Sequence, residues 1–198
     1  MTAQATIDDL PAVAHRTRRS ILDNEATWKL GETAVERSAT GESDRRIPYA
    51  DIAETRLSYD PTRFESSRYR CDIVAKSGVR ERIVSVSYSS PANFESRAAT
   101  YTPFVRALAR EVGRANPDCR FIAGKKPLTY FAEHAFLLAI LLLLASTLYL
   151  TGMPVGGVVA IKLGLLAVYV PVMLRYTRIN RPRRFDPENV PADVLPTP

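Results

Sequence analysis

Two histidines, His15 and His134, and two widely separated cysteines, Cys71 and Cys119, are the only imidazole and thiol groups in 198 residues. That supply argues against a histidine or cysteine metal centre and against a disulfide scaffold. None of the glycine-rich phosphate loops, the G-x-S-x-G nucleophile elbow, the H-E-x-x-H zinc helix or a C-x-x-C pair occurs in the chain. Carboxylates are plentiful, but no pair has the spacing or surroundings of a general acid and base. The expectation is a non-catalytic chain without cofactor or metal. Two charged or titratable groups stand out by position. Lys162 is the only charge in residues 155–174, and His134 follows Glu133 at the edge of the preceding apolar run. A polar path through Lys162 and His134 would make the chain a small transporter or channel subunit, which is the alternative reading.

The elements that would carry these groups are two apolar runs. Residues 135–150 read AFLLAILLLLASTLYL, and residues 155–174 read VGGVVAIKLGLLAVYVPVML. As helices, 128–150 and 155–174 are each long enough for about 30 Å of hydrocarbon, so a transmembrane hairpin is expected. Lys162 subtracts about 2.5–3.5 kcal/mol if central, and its side chain can snorkel outward. Gly152, Gly156, Ala160 and Gly164 recur at every fourth position, a stripe that allows close helix approach. Lys125 and Lys126 precede the hairpin, Arg175, Arg178, Arg181, Arg183 and Arg184 follow it, and the turn is bare. The positive-inside rule then puts both termini in the cytoplasm of a multi-pass membrane protein, with the basic flanks against anionic lipid. Residues 1–24 show no signal peptide.

The rest divides into a polar segment 1–24, a domain 25–116, a linker 117–127, and a basic juxtamembrane segment with a proline-rich, disordered tail, 175–198. A short helix is expected near residues 11–22. Alternation around Trp28 and Leu30, over 33–39, and at Ala53, Thr55, Leu57 and Tyr59 predicts short strands. A hairpin follows, with Ser77-Gly78 as a two-residue turn that sets Cys71 opposite Val84. Tyr101, Phe104, Val105, Leu108 and Val112 then fall at helical spacing, with Arg106, Arg110 and Arg114 as the opposite stripe, ending by Asn116-Pro117. The net charge of +6 suggests nucleic acid only superficially, because no aromatic residues interleave a basic face, and none is expected as a partner.

A tryptophan strand, then "IPYADIAETRL", then the "RYRCDIVAKSGVRERIVSVSY" hairpin and one amphipathic helix resemble the bacterial pleckstrin-homology-like domains. The resemblance covers about residues 25–116. It implies an α+β fold: a bent antiparallel sheet or partial barrel capped by a C-terminal helix. Members are often fused to membrane helices and mostly bind or scaffold. The expectation is therefore a bacterial inner-membrane interaction or assembly module with a protein partner or a second copy of itself. Headgroup binding in eukaryotic relatives uses basic residues around the first two strands. Here only Lys29 and Arg37 stand there, with Glu32 and Glu36 between them, so that activity is not carried over.

Overall fold

Residues that alternate apolar and polar at period two bury one face of a strand, and the chain uses this pattern to build an α+β domain. The computed structural model describes residues 14–20, 22–62, 65–90, 93–150 and 156–196, apart from the side chains of 144–145, 147–150 and 156–163. β1 (Ala14–Thr17), β2 (Ala26–Leu30), β3 (Ala34–Ala39) and β4 (Arg45–Pro48) form an antiparallel sheet in that order. A second sheet joins β5 (Ile52–Tyr59), β6 (Tyr69–Ala75) and β7 (Arg80–Val84). The third sheet is the pair β8 (Val86–Ser90) and β9 (Asn93–Ser96), and α1 (Ala98–Ala115) follows it.

The helical spacing reads true in α1. Tyr101, Phe104, Val105, Leu108 and Val112 are buried, while Arg106, Arg110 and Arg114 are exposed. These five pack with Trp28, Leu57, Cys71, Ile73 and Ile83 in one core. The hairpin differs by one residue from its expected register. Ala75 N donates to Val79 O at 2.8 Å and Gly78 N to Ala75 O at 2.9 Å, so the loop has three residues. Gly78 takes φ +87° as the left-handed third residue of that loop, and Cys71 faces Ile83 rather than Val84.

Residues 14–17 and 183–196 enter the fold, unlike the polar head and disordered tail expected. Part of the expected N-terminal helix is instead β1, paired with β2. His15 on β1 is wholly buried; its Nε2 donates to Val84 O at 2.8 Å, and Nδ1 lies 3.0 Å from Thr100 Oγ1. Burial pushes its pKa down, which keeps the ring neutral in the core. The expected linker contains β10 (Arg120–Ala123), which pairs in parallel with β5. Beyond the hairpin helices, β11 (Arg183–Arg184) adds to β10, giving the order β11-β10-β5-β6-β7. Residues 185–196 then form a strap that buries Val190, Val194 and Leu195, while the Phe185 ring meets Phe121 edge-on at 5.7 Å.

The hairpin itself consists of α2 (Pro127–Leu150) and α3 (Gly156–Ile179). Among the described residues, no helix is long and apolar enough to cross a membrane. This overturns the expected transmembrane hairpin and, with it, the multi-pass inner-membrane placement. The physical reason lies at the base of both helices. Thr129, Glu133 and His134 occupy the first turns of α2, and Arg175 and Arg178 the last turn and a half of α3. After His134 the uncharged stretch of α2 runs only from Ala135 to Leu150, and the stretch of α3 before Arg175 carries Lys162, so neither supplies an unbroken run of about 20 apolar residues.

A narrow waist ties the hairpin to the domain. Gly124 N donates to Leu57 O at 2.7 Å, and Lys125 N donates to Asn180 O at 3.1 Å. Asn180 is wholly buried, and its Oδ1 accepts from Tyr59 N at 3.1 Å. Gly124 has φ +90°, and a Cβ there would stand 2.5 Å from Arg181 O and 2.6 Å from Asn180 O. Only glycine lets the two chain crossings approach this closely.

Candidate functional site

The charged residues of β5, β6 and β7 read in sequence as the solvent side of three strands. The register brings them together on one sheet face. Glu54 pairs with Val74, Arg56 with Asp72 and Ser58 with Arg70, while on β7 Arg82 stands opposite Asp72 and Arg80 opposite Val74. Alternation then places Glu54, Arg56, Arg70, Asp72, Arg80 and Arg82 on the face away from Leu57, Cys71 and Ile73. Lys125, Lys126, Thr129 and Glu133, at the start of the hairpin, wall one side of this face. The result is a cleft of about 570 Å³ that is also lined by Arg19.

Its floor is an ordered lattice of ion pairs. Glu54 accepts from Arg56 Nη2 at 2.9 Å and lies 3.0 Å from Arg120 Nη2. Arg56 is buried and also reaches Gly124 O at 3.4 Å. Asp72 serves Arg70 at 2.9 Å and Arg82 at 3.0 Å, while Asp60 lies 3.4 Å from Arg70 and 3.8 Å from Arg68. The buried Glu54–Arg56 pair fixes the floor rather than adding much stability, because desolvation offsets its attraction. Cations outnumber carboxylates here. Burial lowers the pKa of Arg68, Asp60 opposes that shift, and the nearby charges of Arg70, Arg82 and Arg19 add to the lowering. The buried Nε of Arg68 has no hydrogen-bond partner among the described residues. Arg80 and Lys126 are exposed on the cleft and have no ion pair among the described residues.

At the cleft's inner corner, Lys125 Nζ donates to Glu133 Oε1 at 2.7 Å and also bonds to the Tyr176 hydroxyl. Tyr176 in turn donates to Glu133 Oε2 at 2.5 Å. Burial first, and then the bond to Glu133, push the Tyr176 pKa well up, so its hydroxyl stays protonated as the donor.

The residues singled out in the sequence are distributed differently. Lys125 and Lys126 line the cleft instead of marking a membrane boundary. Arg183 pairs with Asp193 in the strap, and Arg181 lends its carbonyl to the waist beside Gly124. Arg175, Arg178 and Arg184 are exposed. Gly152 lies outside the described residues, as do the side chains of Ala160 and Lys162, and Gly156 sits in the first turn of α3. A Cβ at Gly164 would meet nothing within 4 Å among the described residues. His134 Nδ1 lies 2.6 Å from Tyr130 O, one turn back on its own helix. Arg37 is held by Glu42 at 2.6 Å, and the α1 stripe is partly neutralised as Arg110 and Arg114 approach Glu188 of the strap at 3.9 and 4.0 Å.

Sequence reasoning missed Arg70, Arg80, Arg82 and Glu133 as one site. The alternating charges of 70–82 were the available signal, but only the pairing with β5 and the approach of α2 make them converge. Both cysteines are buried, and burial raises both thiol pKa values, Cys71 most of all. Among the described residues, no group of three metal-ligating side chains comes together. No family model matches the chain, and neither a curated protein nor a solved structure matches it significantly.

Proposed function

We propose that this chain is a non-catalytic interaction module of pleckstrin-homology-like build, whose partner is an acidic segment of another protein received on the β5–β7 cleft. The observation that carries the reading is the cleft's charge: seven cationic side chains line it against four carboxylates. Its size falls within the usual range for ligand sites, about 300–1,000 Å³. Its walls are charged, whereas small-molecule pockets are mostly apolar. Cations spread along three strands and a helix start, with carboxylates interleaved, suit the distributed charges of an acidic peptide. The β4-facing edge adds Glu81, already held by Arg45 at 2.7 Å, which leaves Arg80 and Lys126 as cleft cations without an ion pair among the described residues.

Titration with an oligoglutamate peptide, followed by calorimetry at low and physiological salt, tests this. Reversing Arg80→Glu and Lys126→Glu together is expected to weaken binding at least about tenfold, roughly 1.4 kcal/mol or more. The wild-type affinity itself should fall as salt rises through about 0.15 M. Both positions are exposed, so the fold should tolerate the change. Equal affinities for the wild type and the double variant would remove the reading.

A further inference from the structure

Lys125 is a cleft cation with little freedom to meet a ligand. Its side chain is 12% exposed, and its ammonium is already held by a carboxylate of the same chain, Glu133. Glu133 sits two turns into α2 and faces two ways. It lines the charged cleft, and it also lines an apolar groove of about 230 Å³ between α2 and α3, beside Leu137, Tyr169 and Tyr176. One oxygen accepts a hydrogen bond from Lys125 Nζ and the other accepts from the Tyr176 hydroxyl of α3. A carboxylate on the same chain competes at high effective concentration for the cation it covers.

We propose that Glu133 is a built-in occupant of the cleft: an acidic segment binds by displacing it from Lys125, and the displacement unlatches the bases of α2 and α3 from the domain. This rests on the reading of the cleft as a site for acidic segments. The latch is well placed for such coupling. Lys125 belongs to the waist through its backbone bond to Asn180 O, so a change at its ammonium acts where both helices leave the domain. The incoming carboxylate takes over Lys125 Nζ, and Glu133 and Tyr176 retain only each other.

The test compares oligoglutamate binding by wild type, Glu133→Gln and Tyr176→Phe, with Glu111→Gln on α1 as a carboxylate neutralised elsewhere. Glu133→Gln keeps the shape and removes the competitor, so the peptide should bind about three- to tenfold tighter. Tyr176→Phe leaves net charge unchanged but frees one of the two partners holding Glu133, so it should tighten binding by a smaller factor. Glu111→Gln should stay within about twofold of wild type. Hydrogen exchange supplies the second readout. Peptide should speed exchange of the first α2 turns and last α3 turns in wild type, and change little in Glu133→Gln, which is already unlatched. Peptide binding by wild type with no gain in either cleft variant, or an equal gain in Glu111→Gln, overturns the latch while leaving the cleft reading intact. Absence of peptide binding by wild type overturns both.

Discussion

Gly124→Ala is expected to destabilise the protein by about 3–5 kcal/mol and to lower its melting temperature by roughly 10 °C or more. The expectation rests on two separate costs. Alanine must adopt φ +90°, and its methyl must fit where Arg181 O stands 2.5 Å away. Both obstacles are backbone, so no side-chain rotation relieves them. Gly78→Ala separates the two costs. Its φ is +87°, nearly the same, yet a Cβ there meets nothing within 4 Å. That substitution should cost only about 1 kcal/mol. Denaturant unfolding of the two variants side by side measures the difference. Equal losses would mean that the chain crossings at 124 and 180–181 do not hold the waist together.

Removal of the strap is expected to be more damaging still. A chain ending at Arg181 loses β11 and three core side chains: Val190 at 7% exposure, Val194 at 0% and Leu195 at 3%. Burial of one such side chain contributes about 1.5–3 kcal/mol, so the loss approaches the 5–15 kcal/mol that holds a typical domain folded. It also uncovers Phe121 and the α1 flank at Gly113, where Pro187 now sits. The truncated chain should show no cooperative thermal transition. Leu195→Ala is the milder form and should cost about 2–5 kcal/mol with cooperativity retained. A truncated protein that melts like the full chain would show the strap to be an ornament on an already complete core.

Local periodicity made part of this fold legible. The alternation around Trp28, along 53–59 and along 69–75 corresponds to β2, β5 and β6, and the apolar spacing from Tyr101 to Val112 corresponds to α1. What escaped are elements that exist only through distant partners. β10 is four residues of mixed polarity, and its strand state depends on parallel pairing with β5. Prolines and acids gave the tail the composition of a disordered segment, yet Val190, Val194 and Leu195 fill the core between them. His15 looked like a polar residue near a terminus, and it satisfies its ring by reaching Val84 and Thr100 far along the chain. The apolar runs were read correctly as helices, α2 and α3, but hydropathy over a whole run gave too little weight to the polar base that docks on the domain. Lys125 and Lys126 illustrate the point. Their place beside an apolar run suggested a topological role, whereas they line a cleft whose other cations are Arg19 and, on β5, β6 and β7, Arg56, Arg70, Arg80 and Arg82.

Under the proposed function, the β5–β7 cleft, rather than the arginine stripe of α1, receives acidic protein segments. Backbone amide shifts of the full chain, followed by NMR as oligoglutamate is added, address it most directly. Concentration-dependent shifts are expected at Arg70, Asp72, Arg80, Arg82 and residues 125–133, with Arg106, Arg110 and Arg114 unmoved. Shifts centred on Arg106, Arg110 and Arg114, or no shifts at all, would contradict it.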